Sequence, residues 1–212
     1  MNEIRSVEDR LRAEYFDLIP DLQRTLVALD SEIRHSLVQI RIGLDRYEQI
    51  RVVSRIKECA SAIEALSRRQ EGRVFDPEKF DTYSLLSLRD LVGIRVLVFP
   101  RRRIDEVRSA LLPLIAAWTP DHVGNEYDPP LAFKYHGKYE GVSTTITAEV
   151  QIVSSLIGSY WEVEHSALYK TTPQLQGVVS APRMQEREIA VYTALRDFEE
   201  EFERVVAEST AI

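Results

Sequence analysis

The sequence predicts an α+β protein, a small mixed β-sheet with helices before, around and after it. Two observations carry that prediction. From Val7 to Gln70 the chain is nearly free of Gly and Pro and repeats apolar residues every three or four positions, the period of an amphipathic helix. Farther on, short runs rich in Val, Ile and aromatic residues at 92–99, 133–139 and 142–153 are bounded by Pro and Gly, as strands are.

Taken in order, Leu11, Tyr15 and Leu18 form a first helical stripe, and Pro20 marks a boundary. A second stripe of Leu22, Leu26, Leu29, Ile33 and Leu37 predicts a helix to about Tyr47, and a third helix is expected from Val52 to Arg69, ended by Gly72. Asp76-Pro77 signals a turn within a loop from Val74 to Thr82, and Leu85 to Asp90 reads as a short helix. Val92 to Phe99 is a buried strand stopped by Pro100. Helical periodicity returns from Ile104 to Ala117, and Pro120 to Pro130 is a loop. Phe133 to Tyr139 and Val142 to Val153 are strands joined at Gly141. Ser155 to Lys170 is expected to be helical, 171–182 a linker, and Arg183 to Ala207 a last helix whose Glu199-Glu200-Glu201 run is a solvated face.

At 212 residues the chain is long enough for a substantial core, and 44% apolar with 29% charged residues is ordinary for a globular protein. A net charge of -7 argues against a general polyanion binder. The single cysteine, Cys59, excludes an intrachain disulfide, and no run reaches the roughly 20 apolar residues of a membrane span. With no signal-peptide pattern at Met1 to Arg5, a cytoplasmic protein is expected.

Two acidic residues stand in specific surroundings: Asp90 in Asp90-Leu91-Val92-Gly93-Ile94-Arg95-Val96, and Glu149 in Glu149-Val150-Gln151-Ile152. Carboxylates on neighbouring strands can hold a divalent cation against phosphates, which points to phosphoryl or nucleotidyl transfer. Glu149 and Gln151 are two apart on a strand and so point to one side; an edge strand with a polar face explains them equally. Arg95 inside an apolar strand needs an anion, either a ligand or a structural ion pair. On the expected third helix Lys57 and Ser61 are one turn apart, with Arg55 nearby, a face that either grips phosphate or is merely solvated. Glu164, His165, Tyr169 and Lys170 cluster at the end of another helix.

Together these pieces resemble the synthetase domain of the RelA/SpoT family, over about Val52 to Lys170. The resemblance implies a nucleotidyltransferase-like mixed sheet and transfer of the β,γ-pyrophosphate of ATP to the 3′-hydroxyl of GTP or GDP, making guanosine penta- or tetraphosphate. It further implies that Asp90 and Glu149 hold Mg²⁺, with Glu149 placed to take the hydroxyl proton beside Gln151. Arg55 and Arg95 would flank the adenine, and Lys57 and Ser61 would hold ATP phosphates. Lys134, Tyr135, His136, Glu164 and His165 fall on the acceptor side. The implied division is a helical extension at 1–50, the synthetase domain at 51–172 and a C-terminal helical extension at 173–212. No hydrolase domain is expected before it.

The chain departs from the family at three places. A second Lys normally follows the Ser by four residues, where Ala65 stands, with Arg69 one turn farther on. Val153 replaces an arginine. The Gly-Tyr-x-Ser-x-His loop, whose ring stacks on guanine, is not recognisable: His136 occupies the His place but Ala132 that of the Tyr, with Tyr127, Tyr135 and Tyr139 as substitutes. Two alternatives follow, an acceptor such as the tRNA 3′ end or an adenine nucleotide, helped if Arg101 to Arg103 cluster beside the site, or a degenerate nucleotide-binding regulator. The terminal helices could also mediate a homo-oligomer.

Overall fold

The structure, a computed structural model, describes residues 6–141, 143–164 and 182–210. Helix α1 (Val7–Ser36) starts at Ser6, whose hydroxyl accepts the Asp9 N–H while the Asp9 carboxylate reaches back to the Ser6 N–H. Leu11, Tyr15, Leu18, Leu22, Leu29 and Ile33 form one buried seam, so the boundary expected at Pro20 is absent and the helix runs through it. A proline inside a helix costs about 3 kcal/mol. Burying Leu18, Leu22, Leu29 and Ile33 returns about 1.5–3 kcal/mol each, and the two stripes read from the sequence are one.

The second helix ends early. Only α2 (Val38–Ile42) follows, and the segment expected to open a third helix is strand β1 (Gln49–Ile56). Its alternation decides the matter: Ile50, Val52 and Ile56 join the core while Arg51 and Arg55 point away, and pairing with β2 (Val92–Phe99) overrides a helical reading. Helix α3 (Cys59–Ser67) is what remains of the predicted helix. Between α3 and β2 the chain makes short 3₁₀ turns, including Leu85–Ser87.

After β2 come α4 (Ile104–Ile115), β3 (Thr119–Pro120), β4 (Ala132–Glu140) and β5 (Thr145–Ser154). The five strands lie in the order β1-β2-β5-β4-β3, with β2 and β5 parallel and the other pairs antiparallel. Gly141 makes the expected hairpin turn, its N–H donating to the Thr144 carbonyl at 2.9 Å, and Asp21 of α1 accepts the Ser143 N–H. At Gly137 any side chain would collide with the Trp118 ring.

One face of the sheet is apolar throughout: Val92, Ile94 and Val96 of β2, Ala148, Val150 and Ile152 of β5 and Phe133 of β4 form a single core with α1, α3 and α4. Helix α1 therefore belongs to the sheet's own core, and the division expected at residue 50 falls inside β1. The opposite face is covered only at one end. There Leu97, Ala132 and Val153 pack with Ile157 of α5 (Ser155–Glu164) and Tyr192 of α6 (Pro182–Thr210). The linker expected at 171–182 lies outside the described residues but for its last.

Helix α6 is held by mixed contacts. Trp161 Nε1 donates to the Tyr192 hydroxyl at 2.9 Å, Phe202 meets Tyr47 and Phe99, and Glu203 accepts the Arg102 N–H at 2.7 Å. Of the acidic run, Glu200 and Glu201 are exposed as expected, but Glu199 is 0% exposed. Burial pushes Glu199 up to about 7 against the pull of Ser154 and Arg101, and burial together with Glu188 pushes Glu164 up to about 7.

Replacing Leu29, fully buried in the α1 seam, by Ala is expected to cost about 2–5 kcal/mol in a urea titration. Glu164 and Glu199 bind their protons more tightly in the folded than in the unfolded chain. Their contribution is therefore complete below about pH 4.5 and lost as the pH rises to about 7. Melting temperatures measured across that window should fall with rising pH, and Glu199→Gln should flatten the slope.

Candidate functional site

The uncovered half of the second sheet face is polar on every long strand. Register sets Arg55 opposite Gly93, Gly93 opposite Glu149, and Glu149 opposite His136; one step along lie Val53, Arg95, Gln151 and Lys134. Strand alternation sends all eight to one side. Two depressions open there. A hollow of about 120 Å³ is lined by Arg55, Gly93, Arg95, Gln151, Glu162 and Glu149. A larger cleft of about 480 Å³ has Lys57, Asp90 and the α3 end on one wall and Lys134, His136 and Asp121 on the other. Glu149 lines both.

Glu149 is 6% exposed and is surrounded by donors. Gln151 Nε2 donates to its Oε1 at 2.5 Å, while Lys134 Nζ and His136 Nε2 stand 3.5 and 3.7 Å from its Oε2. Gln151 is oriented in turn, its Oε1 accepting from Arg95 Nε at 3.0 Å, so Arg95, Gln151 and Glu149 form one chain. Arg95 also approaches Glu162 at 3.8 Å and lies over the Trp161 ring. Burial, and then the charge of Arg55, lower its pKa. The anion that this arginine required is thus partly structural. Asp90 precedes the regular part of β2 and is ion-paired with Lys57 in the open cleft.

Asp90 and Glu149, far apart in the sequence, both line the larger cleft. Arg55, Lys57, Arg95, Gln151, Lys134 and His136 also line one depression or the other. Arg55 and Lys57 do so from β1 and the link after it rather than from a helix. Ser61 sits in the first turns of α3 and is not among the lining residues.

Two acceptor-side expectations fall elsewhere. Tyr135 points to the opposite sheet face, where Arg108 Nε reaches its hydroxyl at 3.4 Å. Glu164 lies against α6, accepting from the Tyr192 hydroxyl at 3.2 Å. His165, Tyr169 and Lys170 lie outside the described residues. Arg101 to Arg103 form no basic patch beside the cleft: Arg101 donates to the Pro129 carbonyl, and Arg102 and Arg103 clamp buried Glu48. Burial alone would raise Glu48, but the hydrogen bonds from Arg103, Asp45 and Arg102 hold it down at about 2.

Sequence reasoning missed Arg68, Arg89 and Asp121 in the cleft and Glu162 in the hollow. Helical spacing from Ser61 through Ala65 points toward Arg68, and Arg89 adjoins Asp90, so both had a local signal. Asp121 had none, because only the pairing of β3 with β4 brings it beside His136, 3.3 Å from Nε2.

Asp90 and Glu149 fit the pattern of a Mg²⁺ site completed by water and substrate phosphates. Among the described residues no group of three or more His, Cys, Asp or Glu forms a cage. No described helix is long and apolar enough to cross a membrane.

No family model matches this chain, and no curated protein matches it by sequence. Solved structures do match. A GTP pyrophosphokinase family protein from Streptococcus pneumoniae has a TM-score of 0.64 at 18% identity, over 92% of this chain and 94% of that one. The small alarmone synthetase 1 from Bacillus subtilis, bound to its product pppGpp, has a TM-score of 0.65 at 17% identity, over 92% and 97%. The same protein bound to AMPCPP has 0.60 at 17% identity, over 93% and 98%. The likeness is one of fold, and it is the fold that the RelA/SpoT resemblance implied.

The cleft walls carry five Lys and Arg side chains against three carboxylates in a protein of net charge -7. Inorganic tripolyphosphate should therefore raise the melting temperature at about 0.1 M salt. At about 1 M, where the screening length falls to about 3 Å, the shift should be largely lost.

Proposed function

We propose, from the fold shared with GTP pyrophosphokinase family proteins and small alarmone synthetases, that this protein transfers the β,γ-pyrophosphate of ATP to the 3′-hydroxyl of GTP or GDP. The observation that carries the reading is the position of Glu149, a single carboxylate common to both depressions. The hollow with Arg55 and Arg95 suits a purine, since guanidinium planes stack on ring faces. The cleft with Lys57 suits its phosphates. Binding of AMPCPP and of pppGpp by the Bacillus subtilis protein of the same fold supports the pairing of donor and product.

In this reading the acceptor's 3′ oxygen attacks the β-phosphorus of ATP. The bond from that phosphorus to the α,β-bridging oxygen breaks, AMP leaves, and Glu149 takes the hydroxyl proton. Gln151 fixes the Glu149 carboxylate, while Lys134 compensates its charge between turnovers. Lys57 is released from Asp90 to the phosphates. Asp90 and Glu149 are the residues that would hold Mg²⁺, whose chemistry is neutralisation of phosphate charge. Most of the catalysis is positioning and electrostatics, as phosphoryl transfer requires.

Purified protein given ATP, Mg²⁺ and GTP or GDP should release AMP and form a 3′-pyrophosphorylated nucleotide. Asp90→Asn and Glu149→Gln should each lower AMP release about 100-fold or more while leaving the melting profile cooperative. Undiminished AMP release in both variants would remove the reading.

A further inference from the structure

We propose that Trp161 is a positioning residue for the nucleotide donor: it backs the Arg95 guanidinium at the hollow and ties it to α6 through Tyr192, so that the seating of α6 sets how well the hollow holds a purine. This deepens the synthetase reading, on which it rests for the purine in the hollow. Trp161 does not line the hollow and acts on the ligand through Arg95.

The first support is how Arg95 is held. A long cation that serves as a stacking platform gives up its rotamer freedom, and here burial and the like charge of Arg55 both work against it. The Arg55 side chain lies across Gly93, on the neighbouring wall of the same hollow. Three contacts restrain Arg95. Its Nε donates to Gln151 Oε1 at 3.0 Å, its Nη1 stands 3.8 Å from Glu162 Oε1, and its guanidinium carbon lies 5.9 Å from the centroid of the Trp161 ring. Glu162 is exposed, so solvent screens its pull. The half-buried indole is the contact that covers a face of the cation. An indole against one side of the guanidinium leaves the side toward the hollow for a purine ring.

The second support is how Trp161 is held. Its Nε1 donates to the Tyr192 hydroxyl of α6 at 2.9 Å. Tyr192 is 8% exposed, its ring meets Tyr160 edge-on at 5.3 Å, and its hydroxyl is directed at Glu188 Oε1 at 3.1 Å and Glu164 Oε2 at 3.2 Å. Turning the indole away would orphan its N–H and take a donor from a buried hydroxyl. A continuous series of contacts therefore runs from Tyr192 through Trp161, Arg95 and Gln151 to Glu149.

Calorimetric titration of the full chain with AMPCPP and with inorganic tripolyphosphate, both in Mg²⁺, tests this, because only AMPCPP carries a purine. Trp161→Leu should weaken AMPCPP about tenfold and leave tripolyphosphate within about twofold of the unaltered chain. Trp161→Phe and Tyr192→Phe each keep a ring and remove the same hydrogen bond. Each should weaken AMPCPP about threefold, and the double variant no more than either alone. Should Trp161→Leu not fold, the Phe variants decide. Equal losses of the two ligands in Trp161→Leu, which a merely structural role would give, would overturn the proposal. Unchanged AMPCPP affinity in Trp161→Leu or Tyr192→Phe, additive losses in the double variant, or no AMPCPP binding by the unaltered chain would do the same. The two readings fail separately. Selective loss of AMPCPP affinity without AMP release by the unaltered chain keeps this inference and removes the transferase, whereas AMP release with an AMPCPP affinity indifferent to Trp161 does the reverse.

Discussion

A carboxylate on a central strand, nearly sealed from water, is tolerable only if the fold surrounds it with donors. Glu149 imposes that requirement here, and much of the second sheet face answers it. Gln151 on the same strand, His136 directly across β4 and Lys134 one step along all converge on its two oxygens. Arg95 on β2 then fixes the Gln151 amide from the other side. The result is a pre-oriented carboxylate whose neighbours are themselves oriented, and this is the condition under which an electrostatic site needs little reorganisation.

The same strands do the opposite on their other face. Alternation puts Val92, Ile94, Val96, Val150 and Ile152 into one core with α1, so the stability of the domain is gained on the face away from the polar cleft. Helices α5 and α6 then cover the polar face only as far as Leu97 and Val153. Gly158 allows that approach, because a side chain there would strike Leu97. Where this lid stops, the hollow and the cleft begin. Two carboxyls with raised pKa values, Glu164 and Glu199, lie in the seam that attaches α6, and make this attachment sensitive to pH near neutrality.

Departures from the RelA/SpoT pattern acquire physical meaning in this setting. Val153, where the family has an arginine, is buried in the cluster beneath α5, and Ala132 lies with it. Both changes exchange polar or aromatic side chains for packing under the lid. Ala65 removes a cation from the cleft wall, and Arg68 and Arg69 on the following turn restore positive charge to the same wall.

The local chemistry of the sequence was sufficient for the strand at 92–99, the hairpin at Gly141 and the shared direction of Glu149 and Gln151. These follow from alternation, β-branching and turn chemistry, which operate between near neighbours. Pro20 and the 49–56 segment needed the tertiary structure. A proline's cost is offset only when both halves of the helix find one apolar partner, and Ile50, Val52 and Ile56 satisfy a strand only once β2 lies alongside. Long-range pairing likewise decided which arginines are free: Arg101 to Arg103 are consumed by Glu48 and the Pro129 carbonyl, while Arg68 and Arg89 reach the cleft with no internal anion among the described residues. Charge in a sequence is a count, and only packing determines which charges remain available to a ligand.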